Sequence, residues 1–235
     1  MDLSDAWSVE VAVGEALDLA GRQTAQLGAM AGWMSLLASC ATALTAVMTR
    51  PLAGGDEFTT AATMLGGGLL LLALSALQIL SSAVIFRRLI DLTRGQVRGF
   101  PGAGRVLLMS LWMGVGSFGV GFVGTFGLLF FIAPGLIVFA ATHVYRYALV
   151  DGDGPLESFR FSWVATRHGW IRLLVWQIAF YGLGFVGGLL GEFAEGALVK
   201  AAITGLFTFV SCFILWPADI SIYVQMRRAW EERRG

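Results

Sequence analysis

Long uncharged runs, interrupted by short charged patches, set the rhythm of this chain. Between Arg22 and Arg50 lie 27 residues without a charge, between Glu57 and Arg87 29, and between Arg105 and Arg146 40. Two shorter runs follow, 19 residues from Arg172 to Glu192 and 18 from Lys200 to Asp219, the latter reaching Arg227 if Asp219 is tolerated inside. A helix needs about 20 apolar residues to cross ~30 Å of hydrocarbon. The first, second, fourth and fifth runs each predict one crossing. The third would be ~60 Å long as a single helix, at ~1.5 Å per residue, so it must fold back once. The pattern therefore predicts six transmembrane helices, over 25–49, 60–86, 106–123, 127–148, 170–190 and 199–226. The reversal is expected near Gly121 to Gly127, with Pro134-Gly135 kinking the fourth helix early. A turn at Pro134 itself is the alternative.

Between the runs lie three mixed stretches. Residues 5–22 place Val9, Val13, Ala16, Leu17 and Ala20 on one helical face, with Glu15, Asp18 and Arg22 on another. Residues 154–169 and the start of the next span place Leu156, Phe159, Trp163, Thr166 and Trp170 at alternating spacings of 3 and 4, one helical stripe. Arg160 and Arg167 flank it. The preceding Asp151-Gly152-Asp153-Gly154-Pro155 reads as a turn, with Pro155 suited to the first helical position. Both helices are expected to lie in the headgroup layer. The third stretch, RRLIDLTRGQVRGFPGAGR, is similar but broken by Gly99, Pro101 and Gly102. Residues 15–28 align with 157–170 without gaps at an offset of 142, a weak repeat. It suggests three units, each a surface helix followed by a hairpin of two spans.

Composition agrees with a chain dissolved in lipid. It is 57% apolar and 14% charged over 235 residues, with a mean hydropathy of +0.74, where a soluble domain carries about 25% charged residues. The fold class is all-α, one polytopic transmembrane bundle over 1–235, with amphipathic interfacial helices on the cytoplasmic face. A net charge of zero conceals a strong asymmetry. With the N-terminus inside, the outward connections hold only Arg50 and Lys200 of the 16 basic residues. By the positive-inside rule both termini are cytoplasmic, and the expected location is a bacterial inner membrane. The acidic start, MDLSDAWSVE, does not resemble a cleaved signal peptide. Cys40 and Cys212 lie in apolar runs and read as small core residues.

The stretch GVGSFGVGFVGTFG (114–127) matches G-x-G-x-x-G twice, but inside a predicted span. A dinucleotide fingerprint must follow a strand and present its N–H groups to water, so the glycines read as close helix packing. Gly28 and Gly32, Gly184 and Gly188, and Gly187 and Gly191 form further small-xxx-small pairs.

Few residues carry candidate chemistry. An Asp at a helix centre costs about 2.5–3.5 kcal/mol on insertion scales, so Asp219 needs a partner, from Arg146 or from Arg87 or Arg88. Asp219, Arg146 and His143 are the intramembrane polar candidates, either as a structural ion pair or as a proton or cation relay. Arg87, Arg88, Arg160 and Arg167 are the lipid-headgroup candidates. Ser81, Ser82, Ser110 and Ser211 lack a nearby base and read as interhelical donors. Neither a metal site nor a catalytic group nor a cofactor is predicted.

Several of these features together resemble a known group. IAPGLIVFAATHVYRYALVDGDGPLESFRFSWVATRHGWIRLLVW joins a Pro-Gly in a membrane helix, a tyrosine-bearing end, a short acidic turn, a surface helix and a Gly-Trp opening the next span. GEALDLAGRQTAQLGAM near the start and ADISIYVQMRRAWEERRG at the end fit the same pattern. The chain thus resembles the bacterial glycerophosphoryl-diester-phosphodiesterase membrane-domain superfamily of six-helix proteins. In that group the phosphodiesterase chemistry resides in a separate soluble domain, so the resemblance implies a fold and a location rather than a reaction. The expected role is a non-enzymatic accessory or membrane-organising protein, whose partners are membrane lipids or another membrane protein, with no nucleic acid. The competing expectation is a transporter or channel using Asp219, His143 and Arg146.

Overall fold

The computed structural model describes residues 6–48, 57–96, 98–99, 101–130 and 132–233. Arg50, Arg234 and the first five residues lie outside them. All regular structure among the described residues is helical: α1 (Val9–Arg22), α2 (Thr24–Met48), α3 (Glu57–Arg94), α4 (Ala103–Phe130), α5 (Ile132–Ala141), α6 (Tyr145–Asp151), α7 (Pro155–Thr166), α8 (Trp170–Phe193), α9 (Ala197–Val210) and α10 (Trp216–Glu232). A π-helical segment, Ser211–Leu215, joins α9 to α10 without a break. Among the described residues, five helices are long and apolar enough to cross a membrane: Thr24–Met48, Thr63–Arg94, Ala103–Val120, Trp170–Phe193 and the joined Ala197–Glu232.

The fourth predicted span differs from expectation. Helix α4 runs unbroken through Gly121 and Gly127 to Phe130, so the chain does not reverse at those glycines. It folds back after α4, and α5 and α6 return along it, with Tyr145 donating a 2.9 Å hydrogen bond to the Met113 carbonyl. This return is not one helix over 127–148. It is two short helices separated by a turn at Thr142–Val144, which holds His143. Pro134 falls in the first turn of α5, where its missing N–H costs little.

The core sits toward the arginine-rich end. Every residue of α10 from Pro217 to Val224 is buried, as in a helix surrounded on all sides. The far halves of the spans are bare, with Leu65, Leu72, Phe118, Phe185 and Leu206 exposed, as lipid-facing surfaces are.

Small residues bring two helices especially close. Ser35 donates to the Gly205 carbonyl at 2.8 Å and Ser39 to the Ala201 carbonyl at 2.9 Å. These are two small-xxx-small patterns facing one another across α2 and α9, joined by the hydrogen bonds such approaches permit. The pairs expected from sequence behave differently. A Cβ at Gly28, Gly32, Gly184, Gly188 or Gly191 would meet nothing within 4 Å, and only Gly187 is closed off, by Phe207. Within the G-x-G-x-x-G stretch, Gly116 receives the Tyr145 ring. Ser82 and Ser110 bond to carbonyls of their own helix, four residues back, while Ser81 accepts from Trp33 across helices at 2.9 Å. Cys212 is buried, but Cys40 is exposed on α2.

The amphipathic helices also correct the sequence reading. Helix α1 is docked, not floating: Ala12, Ala16, Leu19 and Ala20 are buried. Ser221 on α10 donates to Glu15, and the Ser8 N–H donates to Gln225 at 3.0 Å. Leu17, assigned to the apolar face, points outward instead. Helix α7 docks through Ser158, Phe161, Ser162, Ala165 and Thr166. Of the predicted stripe, Thr166 is in this face and Phe159 stacks on Tyr145, but Leu156 is 85% and Trp163 49% exposed. The third mixed stretch forms no separate surface helix among the described residues. Its first half extends α3 to Arg94, where Gly95 at φ +65° stops the helix in the left-handed conformation that glycine adopts freely.

Candidate functional site

Two carboxylate-centred clusters stand at this end of the bundle. The first surrounds Asp219, two residues after Pro217 in the first turn of α10. Its side chain has no exposed surface. His143 Nε2 lies 2.8 Å from both carboxylate oxygens. Arg146 Nη2 donates at 3.2 Å, Trp176 Nε1 at 3.0 Å, and the Tyr147 hydroxyl donates as well. The turn between α5 and α6 makes this possible, because it lets His143, Arg146 and Tyr147 converge on one point. Arg146 lies between two rings, 5.4 Å from the centre of Phe86 and 4.8 Å from that of Tyr147, a cation–π setting. A buried carboxylate is tolerable only when its lone pairs are all engaged, and here they are.

The sequence candidates Asp219, Arg146 and His143 are thus within one knot. Arg87 and Arg88 are not part of it. Tyr147 and Trp176 were missed. Their only sequence signal was a polar ring atom inside an apolar run, which must find an acceptor when buried.

The second cluster was also missed as a site, since Asp151 and Asp153 read only as part of a turn. Asp151 receives a bidentate pair from Arg94, at 3.0 and 2.7 Å, a bond from Arg98 at 2.8 Å and one from the Tyr223 hydroxyl at 2.7 Å. Arg98 also bonds Asp91 at 2.5 Å. Arg87 donates to the carbonyls of Val150, at 3.1 Å, and Asp151, at 2.8 Å. Asp153 takes a bidentate pair from Arg227 at 2.7 and 3.1 Å. Gly152 holds the turn with φ +126°, open to glycine at no steric cost. Burial on its own raises the Asp151 pKa. The Tyr223 hydrogen bond and the charges of Arg94 and Arg98 outweigh it and hold the carboxyl below its ordinary range.

No family model, curated protein or solved structure matches this chain. Its chemistry must therefore be judged from the geometry alone.

Of the headgroup candidates, Arg87 donates through Nη1 to the second cluster. Arg88, Arg160 and Arg167 have no acceptor among the described residues. Arg160 on α7 and Arg167, which caps its C-terminus, are exposed beside outward-facing Leu156 and Trp163. Arg88 lines a cavity between α3 and α4.

Proposed function

We propose that this chain is a non-enzymatic, multi-pass protein of a bacterial inner membrane that organises anionic lipid at the cytoplasmic leaflet. In this reading the α4–α5–α6 hairpin completes six crossings, both termini are cytoplasmic, and α1 and α7 lie at the interface. The resemblance to the six-helix phosphodiesterase-associated membrane domains belongs to the same proposal.

The observation that carries it is the outer face of α7. A helix that needed only to dock would bury its apolar stripe. This one docks through Phe161, two serines, Ala165 and Thr166 and turns Leu156 and Trp163 of the stripe outward, with Arg160 and Arg167 alongside. Apolar side chains flanked by unpaired guanidinium groups match the boundary between acyl chains and phosphates. The transport reading would draw on Asp219, His143 and Arg146. Those groups are already locked on one carboxylate with no exposed surface, which favours a structural role for them.

The test is lipid analysis of polymer-extracted native membrane discs. Discs holding the wild-type chain should be enriched in anionic phospholipid relative to bulk membrane, and an Arg160→Gln/Arg167→Gln double variant should lose most of that enrichment. Wild-type discs with bulk composition would refute the proposal. A reporter fused at Gly196 and found in the cytoplasm would refute the orientation.

A further inference from the structure

A cavity of about 210 Å³ opens between the end of α3 and the start of α4, with Arg87, Arg88, Asp91 and Arg98 on its polar side. Ala83, Val84, Val106 and Met109 form its apolar side. Val84 and Val106 also line a second, more open space of about 230 Å³, whose walls are Trp33, Leu80, Ser81 and Ile85. The two therefore adjoin: an arginine-walled chamber lies beside an almost wholly apolar groove along α3, with Val84 and Val106 as their common wall.

The charge is out of balance at the arginine end. Arg87, Arg94 and Arg98 serve Asp91 and Asp151, and Arg88 adds a fourth cation. Two positive charges remain in excess. In the same place two buried guanidinium nitrogens, Arg87 Nε and Arg98 Nη2, have no hydrogen-bond partner. Buried donors left open in this way are rare in folded proteins and call for an acceptor. Phosphate oxygens match arginine donors in both charge and geometry.

We infer that this chamber and groove bind one anionic phospholipid, its phosphate among Arg87, Arg88 and Arg98 and an acyl chain past Val84 and Val106 against Trp33. This rests on the reading above only in taking the groove to face lipid. It concerns one seated molecule, whereas α7 acts on the surrounding leaflet.

Native mass spectrometry of the detergent-solubilised full chain, titrated with dioleoyl phosphatidylglycerol, tests it. Wild type should retain one lipid per chain, held far more weakly when the lipid is dioleoyl phosphatidylcholine. Arg88→Gln removes a cation that no described acceptor needs, and Val84→Trp fills space at the wall shared by chamber and groove. Each should weaken retention about tenfold or more while melting temperature and helix content stay near wild type. Arg160→Gln/Arg167→Gln should leave this binding unchanged even where it abolishes leaflet enrichment, so the two proposals fail separately. Wild-type retention by both Arg88→Gln and Val84→Trp would overturn the inference. So would displacement of the lipid by an equal concentration of inorganic phosphate, which would mark a free-anion site.

Discussion

The two clusters use the same chemistry to opposite effect. Around Asp219, one carboxylate meets four donors with no exposed surface. Around Asp151 and Asp91, arginines outnumber carboxylates, some donors have no partner, and a cavity adjoins them. A fully engaged carboxylate serves the fold. A surplus of arginines beside a cavity, in a membrane protein where each unmet polar group is expensive, is the basis of the lipid site proposed above.

The sharpest way to break that contrast is Asp219→Ala. It strands His143, Arg146, Tyr147 and Trp176 at once, and should cost about 3–5 kcal/mol, the usual penalty for removing one side of a buried charged pair. Thermal unfolding in detergent measures it, and a melting temperature near wild type would mean the knot is not a structural keystone. Asp151→Asn should cost less, about 1.5–3 kcal/mol, because it weakens charged hydrogen bonds but leaves Arg87 on the backbone carbonyls and Asp91 still paired.

Acidification sharpens the comparison further. Because the Asp151 pKa is lowered on folding, its stabilising contribution is complete above the ordinary carboxylate value of about 3.9. That contribution is lost as pH falls below this value and through the folded one. Melting temperature should therefore drop more steeply below about pH 4 in wild type than in Asp151→Asn, and equal slopes would contradict the assignment. Arg88→Gln should have the smallest effect, within about 0.5 kcal/mol, as for surface positions without partners. A larger loss would show that the protein itself completes the open cluster.

Much of the architecture was legible because lipid imposes length and charge rules that sequence displays openly. Charge-free runs located the five long helices, and the need of Asp219 for a cation pointed to Arg146. Finer features were hidden for identifiable reasons. Glycines within an apolar run do not say whether they turn or pack, so the reversal was placed too early, at Gly121 to Gly127. Leu17 and the Leu156–Trp163 stripe fitted helical periodicity, but a helix at an interface has two apolar neighbours, protein and lipid, and periodicity cannot tell them apart. Asp151 and Asp153 looked like an ordinary hydrophilic turn because their arginine partners lie on α3, α10 and the connection after α3, more than fifty residues away in sequence.

The π-helical segment at Ser211–Leu215 carries one more consequence. Such a segment accommodates a residue beyond the α-helical repeat, and each residue advances a helix by about 100°. Were the same residues wound as a uniform α-helix, the extra one would swing the whole downstream face by about a quarter-turn. The carboxylate of Asp219 would then be aimed away from its four donors with its sequence context untouched. Five residues of irregular winding thus act as a phase-setter, deciding which direction an entire helix looks.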